Sequence, residues 1–354
     1  MPRDIAIVML SAIGDAVHVL PVANALKRAR PDARITWILQ PGPHRLVEGH
    51  PAIHDFIVFA RRPARGRLRA VREFRRALRS RSFDLALALQ VYLKAGWITA
   101  AVRAPVKLGF DRRRARDLNW LFTNRRIPPH PVQHVQDQYF EFLRYLGVDP
   151  EPVEWGIPLT ADERERASAY LGALDRPACG IVVGTSKPEK NWMPDRYARA
   201  LEALEGEFGL TPVLLGGPSA HERALADAIV AETRARPVDA LGDDLRRLTA
   251  LLAGCRLVIS PDTGPLHIAR ALDIPVIGLY GYTNPKRTGP YRKFTELVVD
   301  GYARYPGEDY PCSMRYRKDG MTRVTVEAVL EKVQLAVDAY LKRRPDGIPT
   351  YPIG

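Results

Sequence analysis

The stretch SPDTGPLHIARALDIPVIGLYGYTNPKRTG, residues 260–289, combines short buried strands with the start of a helix. Residues 256–260 (RLVIS) and 274–280 (IPVIGLY) are apolar runs bounded by turn residues, which predicts two strands of a parallel sheet. Between them, Gly264 leaves the backbone bare and Pro265 loses no hydrogen bond in a first helical turn. A short helix is therefore predicted to begin near Thr263, inside an α/β fold.

The start of this helix is a candidate anion site. Helix N-termini carry unpaired N–H groups and roughly half a positive charge, so they bind phosphate or carboxylate. His267 and Arg270, one turn apart, would add donors on one side. Asp262 could instead be only a helix cap, and His267 a core residue. The following GYTNPKRTG favours a ligand site, because small residues, hydroxyls and two cations come directly after a strand.

Length and charge set the broad class of the protein. A chain of 354 residues exceeds one typical domain, so two domains with their own cores are expected. The chain has 53 Lys and Arg against 40 Asp and Glu, a net charge of +13, which favours anionic partners such as nucleic acid, phosphorylated lipid or nucleotide sugars. Composition alone does not choose among them.

Cysteine usage and hydropathy indicate a reducing cytoplasm and no membrane span. Cys179, Cys255 and Cys312 are odd in number and lack metal-ligand spacing, so no disulfide framework or zinc site is predicted. The apolar run near the start is too short for a signal peptide and is expected to form a first strand. Polar residues and Gly96 divide residues 85–102 into a strand and a helix.

The first half of the sequence predicts a parallel sheet with helices on both faces. Strands are expected at residues 5–10, 34–39, 55–59 and 85–89, with a turn at 11–15 and a helix continuing to about residue 30. The 11–15 loop would open at the carboxyl edge of this sheet, as would Lys94 and Trp97 after the fourth strand. A helix is expected over residues 133–147, followed by a proline-rich connector, and the domain boundary is placed near Pro158.

Arginines are concentrated in this half of the chain. Residues 61–81 hold ten Arg and one Glu, a density that suits recognition of phosphates or carboxylates, although charge runs are more commonly solvated helix faces. A second basic patch contains Arg112, Arg113, Arg114 and Arg116. Both are candidate binding surfaces for an anionic partner.

The second half predicts another doubly wound sheet. Strands are expected at 180–183 and 211–215, followed by the loops GTSKPEKNW and GGPSAHE, and a long amphipathic segment at 326–342 ends the fold. Lys187, Lys190 and Glu222 then lie at the same sheet edge as the 260–289 stretch. No G-x-G-x-x-G or Walker pattern occurs, which weakens a dinucleotide or NTPase interpretation.

Four stretches carry a resemblance to a known family: SAIGDAVHVLPV, GTSKPEKNWMPDRY, GGPSAHERALA, and SPDTGPLHIARAL followed by PVIGLYGYTNP. In order and spacing the chain resembles glycosyltransferase family 9, the bacterial ADP-heptose:lipopolysaccharide heptosyltransferases, and residues 90–128 are similar to the acceptor side of the heptosyltransferase I type. The resemblance implies a GT-B fold with two Rossmann-like domains facing a central cleft. It implies an acceptor domain at 1–158, a nucleotide-sugar domain at 159–325, and a C-terminal helix and tail at 326–354.

The resemblance also implies roles for individual residues. Asp15 takes the position of the catalytic base and Lys190 that of the diphosphate contact. The implied donor site consists of Thr185, Ser186, Glu222, Asp262, Thr263, Gly264 and His267. The proposed acceptor contacts are Arg61, Arg62, Arg65, Lys94, Arg112 and Arg113. From residue types alone, capping of the helix predicted to begin at Ala16 is favoured over a catalytic role for Asp15.

The implied reaction transfers heptose from ADP-heptose to a lipid A–Kdo acceptor at the cytoplasmic surface of the inner membrane. No cofactor is expected, and without an Asp-x-Asp pair the transfer is expected to be inverting and metal-independent. Two alternatives are a relative that uses another nucleotide sugar or a later core acceptor, and a basic nucleic-acid-binding protein. The second is disfavoured, because few aromatics interleave the arginine run and no nucleic-acid-binding module is recognisable.

Overall fold

Two parallel six-stranded sheets organise the chain, each in its own compact unit, residues 1–158 and 159–354. The computed structural model describes residues 2–60, 67–242 and 244–341. The elements of the first unit are β1 (Asp4–Val8), α1 (Ile13–Ala29), β2 (Arg34–Leu39), α2 (Pro41–Val47), β3 (Asp55–Val58), α3 (Arg67–Arg79), β4 (Leu85–Ala88), α4 (Leu93–Ala101), β5 (Val106–Gly109), β6 (Arg125–Arg126) and α5 (Val135–Tyr145).

The sheet of the first unit has the order β3-β2-β1-β4-β5-β6 and is covered on both faces. Ala6 and Val8 of β1 pack with Leu78 of α3 and Ile98 of α4 on one face. On the other side α1 packs against α2 and α5. Burial on both faces explains why the strands are continuous apolar runs.

The second unit repeats this arrangement with the order β12-β11-β10-β7-β8-β9. Helix α9 packs against α6 and α10, and α7 packs against α8 and α12. The elements are α6 (Ala161–Gly172), β7 (Ala178–Val182), α7 (Pro194–Gly206), β8 (Thr211–Leu215), α8 (Ala220–Glu232), β9 (Val238–Asp239), α9 (Leu245–Gly254), β10 (Leu257–Pro261), α10 (Gly264–Ala271), β11 (Val276–Tyr280), α11 (Pro285–Thr288), β12 (Val298–Asp300) and α12 (Val326–Ala336), which continues as a π-helical turn (Val337–Leu341).

The α/β class and the main strands predicted from the sequence are confirmed, with differences at the sheet edges. The sequence analysis missed β5, β6, β9 and β12, which are two to four residues long and lie at or next to an edge. Such strands have too few residues for an alternating pattern, and β6 is a pair of arginines. The start predicted for α1 was also wrong, because the helix begins at Ile13 rather than Ala16.

Candidate functional site

The predicted donor residues of the second unit lie around the point where strand order reverses. From β7 the chain continues to β8 and β9 on one side of the sheet, and it then crosses to β10 on the other side of β7. Strands β7 and β10 are therefore neighbours, and the strands that follow them lie in opposite directions along the sheet. Open α/β sheets bind ligands at the carboxyl ends of such strands. Lys190 follows β7 and Asp262 follows β10, and the structure brings these two side chains together.

Asp262 is a buried carboxylate held by several partners. Its Oδ2 accepts hydrogen bonds from Lys190 Nζ at 2.7 Å and Thr283 Oγ1 at 2.6 Å. His267 Nε2 lies 3.6 Å from its Oδ1. Burial alone would raise the pKa of Asp262, but interaction with His267 and the charge of Lys190 outweigh burial and hold this pKa well below its usual range. Asp262 is therefore an anion at neutral pH.

Asp262 is not the helix cap that the sequence left open as an alternative. The N-cap of α10 is Thr263, which makes no side-chain capping hydrogen bond, and the helix begins at Gly264 with Pro265 in its first turn. The carboxylate of Asp262 is instead committed to Lys190, Thr283 and His267. His267 is buried, as the core interpretation expected, but it lies against a charged group.

Lys190 is placed to receive an anion. Its ammonium group donates to both the backbone oxygen of Asp262, at 3.0 Å, and the side chain of the same residue. An ammonium group has three N–H donors, so these two bonds fix its position and leave the third direction for a ligand. The adjacent N-terminus of α10 contributes further positive potential.

The loop after β7 is held by hydrogen bonds within itself. The Thr185 hydroxyl donates to the Lys187 carbonyl at 2.7 Å and accepts from the Lys187 N–H at 3.1 Å. The Thr185 N–H donates to Asn191 Oδ1 at 2.9 Å. Thr185 is buried, whereas Ser186 is exposed. The Thr185 hydroxyl therefore stabilises the shape of the loop, and Ser186 lies at the surface.

Glu222 joins the loops that follow β7 and β8. Its Oε1 accepts from the Gly217 N–H at 3.0 Å and its Oε2 from Ser219 Oγ at 2.7 Å, while Ser219 accepts the Glu222 N–H at 3.1 Å. A side chain at Gly184 would meet Glu222 Cγ at 3.1 Å, so the β7 loop packs directly on Glu222. The Ser-x-x-Glu spacing is a capping-box signal that the sequence analysis did not use.

Three further side chains at this edge were missed. Thr283 holds Asp262, and Tyr282 and Tyr316 stack with ring centroids 4.7 Å apart. Lys187 Nζ lies 4.9 Å from the Tyr316 ring and 5.7 Å from the Tyr282 ring. The stretch GYTNP indicated hydroxyls near a ligand, but Tyr316 lies in an irregular segment with no local signal. The aromatic pair anchors the β7 loop to the loop after β11.

The switch point of the first unit lies between β1 and β4, and Asp15 is close to it. Asp15 is in the first turn of α1, where Oδ2 accepts the Ala12 N–H at 3.0 Å and Oδ1 accepts from Tyr139 Oη at 3.3 Å. Gln90, directly after β4, accepts the Leu10 N–H at 3.2 Å. Asp15 is therefore not the N-cap that the capping interpretation expected: Ala12 is the N-cap, and Asp15, at the third helical position, accepts the N-cap N–H. The carboxylate is only partly buried.

The predicted acceptor residues divide into three groups. Lys94, in the first turn of α4, places Nζ 5.4 Å from the Phe59 ring. Arg112 is exposed and stacks on Trp120 at 4.0 Å, and Arg113 is exposed beside it. Arg61, Arg62 and Arg65 lie outside the described residues. The structure therefore leaves Arg112 and Arg113 exposed and Lys94 half-buried, and it does not describe the other three.

Arg114 belongs to the fold rather than to the basic surface. It donates from Nη1 and Nη2 to the two oxygens of Glu141, each at 2.7 Å, and also pairs with Asp111. All three side chains are largely buried, so the arginine patch predicted at 112–116 has a structural anchor in its middle. This anchor holds the turn that presents Arg112 and Arg113.

Over residues 2–60, 67–242 and 244–341, none of the helices has both the length and the apolar character needed to cross a bilayer. The same part of the chain contains no group of three or more His, Cys, Asp or Glu residues arranged to hold a metal ion.

Comparison with known proteins defines the class and then the family. The structure resembles E. coli heptosyltransferase WaaC with ADP, with a TM-score of 0.74 at 24% identity over 94% of this chain and 99% of that one, and the fold is GT-B. The profile of glycosyltransferase family 9 (heptosyltransferase) matches residues 71–317. The chain belongs to glycosyltransferase family 9 and is a glycosyltransferase.

Two curated relatives cover nearly the same length. The lipopolysaccharide core heptosyltransferase OpsX of Haemophilus influenzae is 30% identical over 342 residues, 94% of this chain and 96% of the relative. The lipopolysaccharide heptosyltransferase 1 of Pseudomonas aeruginosa is 31% identical over 327 residues, 89% of this chain and 86% of the relative. The family expected from the sequence motifs is therefore confirmed.

Proposed function

We propose that this chain transfers heptose from ADP-heptose to the Kdo-containing inner core of lipopolysaccharide, by an inverting and metal-independent displacement. The observation that carries the proposal is the Lys190 ammonium group, fixed on Asp262 beside the N-terminus of α10 at a sheet switch point. An anion seated there would meet one cation and several backbone donors. The family and the names of the curated relatives support lipopolysaccharide as the acceptor and heptose as the sugar.

We assign the donor half of the reaction to the second unit. When the bond between the anomeric carbon and the diphosphate oxygen breaks, negative charge develops on the leaving ADP. Lys190 and the α10 N-terminus at Thr263 and Gly264 would stabilise this charge. His267 would orient the same group from the side. Glu222 shapes the two loops that would border the nucleoside, and Ser186 is exposed for contact with it.

We assign the acceptor half to the first unit, with Asp15 as the general base. Asp15 would take the proton of the acceptor hydroxyl as its oxygen forms a bond to the anomeric carbon, and the electron pair of the breaking bond would leave with ADP. A single displacement of this kind inverts the anomeric configuration. The hydrogen bonds from Ala12 and Tyr139 fix the Asp15 carboxylate, which reduces the entropy lost in reaching the reacting geometry.

Lys94, Arg112 and Arg113 would contact the carboxylates and phosphates of the acceptor, together with Arg61, Arg62 and Arg65. Because such an acceptor is anchored in lipid, the protein would work at the cytoplasmic surface of the inner membrane. The direct experiment is to measure turnover of ADP-heptose by the purified protein against Kdo–lipid A, heptosylated Kdo–lipid A and a panel of other nucleotide sugars. Transfer to Kdo–lipid A is expected. Exclusive use of another sugar or of the heptosylated acceptor would favour a later-acting family member.

Metal independence predicts that turnover survives chelation. Because Lys190 and backbone N–H groups would carry the charge of the diphosphate, activity in excess EDTA is expected to stay within about twofold of the untreated enzyme. The measurement is the initial rate with and without EDTA, followed by added Mg²⁺. A loss of activity that Mg²⁺ restores would contradict the metal-free mechanism.

The aromatic anchor of the β7 loop predicts a smaller effect on donor binding. In Tyr316→Ala, Lys187 loses one of its two ring contacts, an interaction of about 0.5–1 kcal/mol, so KM for the donor is expected to rise about two- to fivefold. Tyr305→Ala is the matched control, because Tyr305 is also an exposed tyrosine of the second unit. Equal donor KM values for the two variants would show that the anchor does not position the loop.

A further inference from the structure

The outward face of α4 is apolar. Leu93, Trp97, Ala100 and Ala101 are exposed and recur at helical spacing on one side, with 39% of Leu93 and 64% of Trp97 accessible to solvent. The opposite side of the helix is buried in the core that α4 shares with α3. A surface helix ordinarily has charged residues on its outer side, whereas this helix is apolar on both sides.

A neighbouring segment extends this surface. The 3₁₀ turn Asn119–Phe122 packs on α4, with the Phe122 ring 5.4 Å from the Trp97 ring. It exposes 55% of Leu121, and Leu118, just before it, is 59% exposed. Leu118 has a φ of 59°, a left-handed conformation that is unfavourable for a leucine. We call Leu93, Trp97, Leu118 and Leu121 the apolar patch.

Cations border the apolar patch. Arg112 stacks on Trp120, and the Arg116 guanidinium lies 5.9 Å from the ring of Tyr92, the residue that precedes α4. Arg113 is also exposed, and Asp117, beside Leu118, is the exposed acid of the same loop. Asp111 and Glu141, by contrast, are paired with Arg114 inside the unit. The border of the patch therefore carries an excess of positive charge.

The arginine helix α3 lies on the same side of the first unit. Phe74, Ala77 and Leu78 of α3 pack into the same core as Ala95 and Ile98 of α4, on one face of the sheet. The outer faces of both helices therefore point away from that face. The exposed arginines of α3 whose side chains are described are Arg72, Arg75, Arg76 and Arg79.

We propose that the apolar patch and the outer face of α3 together seat the first unit on an anionic lipid bilayer. Burial of tryptophan and leucine in the interfacial region of a bilayer is favourable, and each nearby arginine adds attraction to anionic headgroups. A protein partner would need complementary acids around an apolar centre, whereas an anionic bilayer supplies both features over a broad area. This inference rests on the proposed function, in which the acceptor is a lipid.

The test measures sedimentation of the full chain with vesicles, without any substrate. The wild type is expected to bind phosphatidylethanolamine vesicles that contain about 30% phosphatidylglycerol, a composition that resembles an anionic leaflet. It is expected to bind pure phosphatidylcholine vesicles at least tenfold more weakly. The triple variant Leu93→Ser, Trp97→Ser, Leu121→Ser is expected to lose at least tenfold in affinity for the anionic vesicles. Arg72→Ser with Arg76→Ser is expected to weaken binding and to reduce its dependence on salt.

The matched control places serine at three exposed apolar positions of the second unit, Val230, Tyr305 and Leu335. This control is expected to bind vesicles like the wild type, and circular dichroism melting should show that both triple variants are folded. Equal vesicle binding by a folded patch variant and the wild type would overturn the proposal. The proposal would also be overturned if the patch variant kept its vesicle binding and lost only self-association or only binding to single-stranded DNA.

The vesicle assay and the turnover assay fail independently. Patch-dependent vesicle binding by a protein that does not turn over ADP-heptose would overturn the proposed function and leave the membrane surface standing. If the protein used an acyl-free acceptor and the patch variant bound vesicles as well as the wild type, this inference alone would be overturned.

Discussion

Asp15→Asn is expected to bind ADP-heptose like the wild type and to lose transfer by about 10²- to 10⁴-fold, the usual contribution of a general base. In the folded protein the carboxylate accepts the Ala12 N–H and the Tyr139 hydroxyl. An asparagine side-chain oxygen can still accept the Ala12 N–H, so the helix start is preserved. It cannot take the proton of the acceptor hydroxyl. The measurements are the donor dissociation constant and the single-turnover rate.

Asp15→Ala provides the comparison that separates the two roles of this residue. Alanine removes both the cap and the base, so this variant is expected to lose about 1 kcal/mol of unfolding free energy as well as transfer. Asp15→Asn should unfold at nearly the wild-type temperature. If Asp15→Asn transferred heptose at the wild-type rate while Asp15→Ala was destabilised, Asp15 would be only a helix cap.

Lys190→Ala is expected to lower kcat by about 10²- to 10³-fold, the scale seen when one donor to a developing anion is removed. The structure adds a consequence that the sequence did not indicate. Asp262 is buried against Lys190, so removing the lysine leaves a buried carboxylate that keeps His267 and Thr283 but has lost its lysine counter-ion. Breaking a buried pair in this way costs about 3–5 kcal/mol, and the remaining bond from Thr283 offsets part of that loss.

The double variant Lys190→Ala, Asp262→Asn distinguishes catalysis from stability. It removes both charges, so its unfolding free energy is expected to recover most of what Lys190→Ala lost, while its kcat stays low. The measurements are urea unfolding and kcat at saturating donor. If the double variant recovered wild-type kcat along with its stability, Lys190 would act only as the counter-ion of Asp262.

Local patterns in the sequence were sufficient for the longer strands and for the order in which they follow one another. The apolar runs around residues 256–260 and 274–280, with Gly264 and Pro265 between them, correctly predicted β10, α10 and β11. These signals act over a few residues, because turn chemistry, capping and apolar periodicity are local properties of the chain. The four motifs indicated the family for the same reason, since each lies in one continuous stretch.

The sequence did not predict side-chain partners that lie far apart along the chain. Asp262 had the right residue type for a cap, but it pairs with Lys190, 72 residues away, and with Thr283, 21 residues away. Arg114 looked like its three arginine neighbours, yet the fold buries it on Glu141. No pattern of neighbouring residues separates a buried arginine from an exposed one when both are surrounded by charge.

The sequence by itself determined the α/β class, the two parallel sheets, the family and the loops at which the candidate site lies, because those depend on apolar periodicity, turn residues and short motifs. Only the tertiary structure decided that Lys190 and Asp262 form a buried pair, that Asp15 reaches back to Ala12, and that Trp97 faces solvent. Each of these depends on which elements pack together, and packing is set by the free energy of the whole unit rather than by any one segment.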